Sequence, residues 1–155
     1  MTPRPSETLT ALGIELPPPG RPAGSYAPVV VDGDTAWVSG QVVARDGVAV
    51  SPGLVDREVD LPTARDVTRQ ATLQALGGLA GALGSIDRVR RIVRVGVFVA
   101  SSPGFVRQPE VANGATELLI QVFGEAGRPT RYAVGVSRLP LNACVEVELI
   151  ARVAP

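Results

Sequence analysis

Three charged side chains in this sequence stand where they can do chemistry without a metal. Arg131 opens a strand-like run, and Glu146 and Glu148 stand two apart near the C-terminus. A guanidinium offers a planar fork that matches a carboxylate through two parallel hydrogen bonds. The alternative for Arg131 is a structural ion pair with a glutamate on a neighbouring strand. Residues two apart on a strand share a face, so Glu146 and Glu148 point the same way. Either can orient or deprotonate a water molecule, given hydrogen-bond reach, or both can be merely solvated or paired. Tyr26 can wall a pocket and donate through its hydroxyl, or serve as an ordinary interface aromatic. The backbone near Gly40 and Ala133 can offer N–H donors, glycine in particular letting a ligand approach closely. Asn113 reads as a polar residue on a helix surface.

The composition removes other chemistries. There is no His, so His triads, His metal ligands and His proton shuttles are excluded, and Ser39 has no base of that kind to activate it. Cys144 is the sole cysteine, which excludes intrachain disulfides and Cys-cluster metal sites. In a strand it is expected to pack as a small hydrophobe. The 15 basic residues, all Arg, balance 15 acidic ones, and they form no cluster suited to a nucleic-acid backbone. No P-loop or strand-linked G-x-G-x-x-G occurs. The N-terminus lacks an apolar leader-like run and no apolar stretch approaches the ~20 residues of a membrane span, so a cytoplasmic protein without membrane or nucleic-acid partners is expected.

The elements that must position these residues follow from periodicity. Pro5 to Ile14 reads as a short helix with Ser6 as N-cap and Leu9, Leu12 and Ile14 packed on the body. Leu16-Pro17-Pro18-Pro19-Gly20 then forces an extended bridge. Residues 1–24 form an N-terminal extension on one domain spanning 1–155. Short strands at 28–31 and 35–43 flank the tight turn Asp32-Gly33-Asp34, with another near 48–50. A long helix is expected over 62–84, where Leu73, Leu76, Leu79 and Leu83 recur at helical spacing and Gly77, Gly78 and Gly81 allow close approach to a sheet. Arg91 to Ala100 is the strongest strand, and a second helix spans 109–123. Two final strands, 131–139 and 144–153, are expected to form a hairpin across Pro140-Leu141-Asn142. The order implies an α+β fold, one sheet with two helices on one face. The opposite face is left uncovered and partly apolar, which implies contact with another subunit.

Several segments together resemble the RidA family, also called YjgF. They are Gly24-Ser25-Tyr26, Trp37-Val38-Ser39-Gly40-Gln41, the run from Arg131 to Pro140, and Val145-Glu146-Val147-Glu148. Val111 to Leu119, Val122 to Gly127, the N-terminal helix and the proline bridge resemble a longer subgroup. The resemblance covers roughly residues 5–153. It implies a chorismate-mutase-like fold with a mixed sheet, a homotrimer, and ligand pockets at the three subunit interfaces. It also implies hydrolysis of small 2-imino acids to 2-oxo acids and ammonia without metal or organic cofactor. By position, Arg131 matches the family's carboxylate anchor and Glu146 its water-binding glutamate. Tyr26, Gly40 and Ala133 fall at substrate-binding positions, and Asn113 falls near a recurrent asparagine.

Three positions depart from the family pattern. Ala133 stands where many deaminase-active members have Cys, Tyr132 where a small residue is usual, and Pro129 where the longer subgroup often has His. These departures leave two other functions open. One is a non-catalytic binder of small carboxylates; the other is a relative recruited to a biosynthetic pathway with a larger substrate.

Overall fold

The alternation of Val145, Val147, Leu149, Ala151 and Val153, all buried, sets the inner side of the sheet. The computed structural model describes residues 3–154. In chain order these form helix α1 (Pro5–Ala11), strands β1 (Val29–Asp32), β2 (Thr35–Gln41), β3 (Ala44–Arg45) and β4 (Val48–Ala49), and helix α2 (Leu61–Leu83). Strand β5 (Val89–Ala100), helix α3 (Gln108–Phe123), and strands β6 (Thr130–Val136) and β7 (Val145–Val153) follow. Five strands make one sheet in the order β1-β2-β7-β5-β6, and β3 pairs with β4 separately. Only the β5–β6 pair in the five-stranded sheet is parallel, so that sheet is mixed and the fold is α+β.

Helices α2 and α3 pack against each other and against one sheet face. Val67, Ala71, Leu76, Leu79 and Leu83 of α2, with Val111, Leu118 and Leu119 of α3, meet Ile92, Val95, Val97 and Leu149 in one core. Each fully buried aliphatic side chain contributes about 1.5–3 kcal/mol of transfer free energy. Asp60 caps α2 by accepting from the Thr63 backbone N–H at 2.7 Å. Gly84, at φ 77°, closes it in the left-handed conformation that a glycine adopts without strain.

The final hairpin is not formed. Strand β6 pairs with β5 alone, and β7 lies on the other side of β5, between β5 and β2. A parallel β5–α3–β6 crossover fills the place the hairpin would need. Residues 137–144 instead cross the end of β5, through Leu141 and Asn142 at positive φ. The Ser101 N–H donates to the Val136 carbonyl and the Ala100 N–H to the Cys144 carbonyl.

Helix α1 ends at Ala11, before Gly13 at φ 66°. Its N-cap is Arg4, not Ser6. Ser6 donates through its backbone N–H and its hydroxyl to the two oxygens of Asp87, at 2.9 and 2.7 Å. Burial works against this carboxylate, but those two bonds and Arg4 hold it below the usual range. Leu9 is buried and Ile14 is partly buried against the core, whereas Leu12 is exposed. The α2 glycines serve the extension more than the sheet. A Cβ at Gly77 would strike the Pro17 carbonyl, and one at Gly81 the Pro19 ring. The proline bridge therefore lies directly on α2.

Candidate functional site

The open side of the sheet carries a polar network at its centre. Tyr132 of β6 lies across Gly96 of β5, where any Cβ would collide with the phenol ring. Its hydroxyl donates to Glu148 Oε1 of β7 at 2.5 Å. Arg94 pairs with the same oxygen at 3.4 Å, and its guanidinium stands 5.8 Å from the Tyr132 ring centre. Phe98 meets that ring edge-on, with centroids 5.6 Å apart. Burial, then the Glu148 hydrogen bond and charge, push the phenol up to about 12. Tyr132 is thus seated by a glycine and locked to a carboxylate. Val30, Trp37 and Val134 on the same face are 50, 42 and 42% exposed.

Glu146 occupies a different setting. It is half-buried and reaches over Gly40, where a Cβ would collide with its Oε1. The register of β2 against β7 shifts between Val38 and Gln41, which brings Gly40 to this place. Burial raises the Glu146 carboxyl above its ordinary value, and the Glu148 charge adds to the shift. A carboxylate poised this way is a better base than an exposed one at neutral pH. Tyr26, Gly40 and Glu146 line one groove of about 490 Å³. Its other walls include Pro17, Pro18 and Arg21 of the bridge, Gln41 at the end of β2, and Gln74 of α2.

Arg131 is held elsewhere. Its side chain lies on the helix side of the sheet at the β6 edge. Nη1 donates to Asn113 Oδ1 at 2.7 Å and to Thr116 Oγ1 at 3.2 Å, both on α3. Among the described residues no carboxylate pairs with it, so the expected alternative of an ion pair is not realised. Asn113 is more than a surface polar residue, since it orients the guanidinium. Ala133, two residues on, follows on the same side of β6.

Within one chain the predicted residues fall into two groups. Tyr26, Gly40 and Glu146 share the groove, while Arg131 and Ala133 lie on β6, separated from β7 by β5. Thr116 and Gln74 are additions to the residues named from sequence. Gln74 was recognisable in principle, as a polar residue three positions after Ala71 and seven after Val67 on the buried stripe of α2. Ser39 has a structural task, donating to the Ala27 carbonyl at 2.7 Å. Cys144 is buried, and that burial pushes its thiol up to about 11, as suits a packing residue. No cluster of three or more His, Cys, Asp or Glu residues suited to a metal occurs among the described residues, and no helix among them is long and apolar enough to cross a membrane.

Residues 6–153 match the family model described as "YjgF/chorismate mutase-like, putative endoribonuclease". The chain belongs to the YjgF (RidA) family. Protein TCP17 of Trypanosoma cruzi is 40% identical over 148 residues, covering 95% of this chain and 92% of that one. A 2-iminobutanoate/2-iminopropanoate deaminase of Dermatophagoides farinae is 28% identical, covering 88% and 92%. Among solved structures, Atu1372 of Agrobacterium tumefaciens, a protein of unknown function, superposes with a TM-score of 0.85 at 37% identity, covering 96% and 91%. A protein from Shewanella oneidensis, described as a "putative endoribonuclease", gives 0.91 at 30% identity, covering 97% and 100%.

Proposed function

We propose that this YjgF-family protein is a cofactor-independent deaminase that hydrolyses small 2-imino acids to 2-oxo acids and ammonia. The reading rests above all on Arg131. It is a guanidinium oriented by the neutral oxygens of Asn113 and Thr116, with its charge uncompensated by any described carboxylate. Such a group suits the carboxylate of an imino acid. Glu146 supplies the second function. Its raised carboxyl accepts a proton from water as the oxygen attacks the carbon of the protonated imine, forming a neutral tetrahedral amino alcohol. Returning that proton to nitrogen makes ammonia the leaving group, and the hydroxyl proton passes back to the carboxylate as the carbonyl forms and the C–N bond breaks, so that water and protonated imine become 2-oxo acid and ammonium.

Because Arg131 on β6 and Glu146 on β7 are separated by β5 within one chain, the reading requires a second copy to complete each pocket, in a homotrimer. The endoribonuclease description fits the surface less well, since a chain of zero net charge lacks the cationic excess that phosphate backbones demand.

Ammonia release from imines made in situ by an amino-acid oxidase tests catalysis. Calorimetry with 2-oxobutyrate tests the anchor. Arg131→Ala removes two charge-assisted bonds of about 1.5–3 kcal/mol each and should lose binding by on the order of 100-fold or more. Arg131→Lys should rescue little. Binding without ammonia release in the wild type would make the protein a carboxylate binder; undiminished binding by the variants would remove Arg131 from the site.

A further inference from the structure

The groove beside Glu146 contains a side-chain oxygen that nothing among the described residues satisfies. Gln74 rises from α2 beneath the proline bridge and lines the groove. Its Oε1 is fully buried with no hydrogen-bond partner among the described residues. Unpaired buried amide oxygens are costly and are therefore few in folded proteins. Position 74 borders the buried stripe of α2 that Val67 and Ala71 occupy, where an apolar side chain would pack without that cost. A carboxamide with no internal partner is free to turn toward a ligand without breaking a bond.

The surrounding groups narrow the chemistry of that ligand. Gln41 commits its amide N–H to the Ser39 carbonyl at 2.9 Å, which leaves its own oxygen free. Glu146 is an acceptor once ionised. Arg21 and the Tyr26 hydroxyl line the groove too, so it offers donors and acceptors together, and it is roomier than a two- or three-carbon side chain needs.

We infer that Gln74 is a specificity residue of this groove, selecting 2-imino acids whose side chain ends in a carboxamide over those with a purely aliphatic one. A ligand carboxamide both donates to and accepts from the Gln74 amide, and it is uncharged, so it enters without a desolvation penalty of ionic size. The inference rests on the reading that the groove binds the side chain of an imino acid held by Arg131.

The test compares two near-isosteric side chains, those of asparagine and leucine. Their imines are generated by an amino-acid oxidase for kinetics. The corresponding 2-oxo acids, 2-oxosuccinamate and 4-methyl-2-oxopentanoate, are titrated calorimetrically, with 2-oxobutyrate as the common control. The wild type should prefer the carboxamide by about tenfold or more in both kcat/KM and Kd. Gln74→Leu and Gln74→Met should erase that preference and raise the melting temperature, because the orphaned oxygen is gone. An equal loss for both side chains in either folded variant, or no discrimination by a wild type that binds 2-oxobutyrate, overturns the role of Gln74 while the carboxylate reading stands. If the wild type binds no 2-oxo acid, that underlying reading fails, and the inference falls with it.

Discussion

At the scale of single residues, the two glutamates that look alike in sequence have been given different surroundings. Glu148 is tied down by Tyr132 and Arg94, whereas among the described residues no side chain or backbone group bonds Glu146, which sits in a groove. Their shared face was legible from i, i+2 spacing, and the resemblance gave the water-binding role to Glu146 alone, but the physical basis of that division was not legible. It depends on Gly96 making room for Tyr132 and on the β2 irregularity bringing Gly40 under Glu146. Glu146→Gln should slow imine hydrolysis by roughly 100-fold while ligand binding persists, the ordinary size of a lost acid–base contribution. Glu148→Gln should alter the rate at neutral pH little but should move the pH profile. Glu146 must be ionised to act as base, and the Glu148 charge helps hold its pKa up. Removing that charge lowers the Glu146 pKa, so the acid limb of kcat/KM shifts to lower pH. A profile for Glu148→Gln that superposes on wild type, or shifts upward, would show that the two carboxylates do not sense each other.

At the scale of elements, most boundaries were readable. The periodicity of α2 and α3 and the β-branched run of β5 have direct local causes. The misplaced β6–β7 pairing has a non-local one. Pro140-Leu141-Asn142 is sound turn chemistry, but whether a turn joins neighbours depends on which strand already holds the intervening place, and here β5 holds it. Of the α2 glycines expected to approach the sheet, Gly78 does so at Val29 of β1, but the proline bridge rather than the sheet lies on Gly77 and Gly81. Adjacent glycines should therefore respond with opposite sign to one substitution. At Gly78 an added methyl would stand 3.4 Å from Val29 Cγ2, an ordinary contact. Gly78→Ala should gain up to about 1 kcal/mol from helix propensity. Gly77→Ala gains the same propensity but drives the methyl into the Pro17 carbonyl, an overpacking cost of about 1–3 kcal/mol, so it should be neutral to destabilising. Thermal melts of the two variants decide the matter. Equal stabilisation would mean that the bridge is not seated on the helix.

At the scale of the whole molecule, the residues proposed for the site came from the family likeness, and one chain does not bring them together. Arg131 sits at the exposed edge of β6 against α3, and Glu146 faces the groove from β7, with β5 between them. Sequence spacing cannot report such a separation, because strand order decides it. The exposed Val30, Trp37 and Val134 beside the central Tyr132 network give a second copy an apolar surface to cover. Light scattering should return about three times the 16.1 kDa chain mass. Mass alone does not show that pockets are shared, but mixed oligomers do. Arg131→Ala and Glu146→Gln should each be inactive as homotrimers, since every pocket lacks one group. Co-expressed in equal amounts, they assemble trimers in which some interfaces join an intact Arg131 from one chain to an intact Glu146 from another. Random assembly restores about a quarter of the pockets, and ammonia release should recover to that fraction of wild type. If both groups of a pocket came from one chain, every pocket would carry one defect and mixing would recover nothing. Absence of recovery, with mixed trimers verified by differential tagging, would confine the chemistry to a single chain and detach Arg131 from the Glu146 groove.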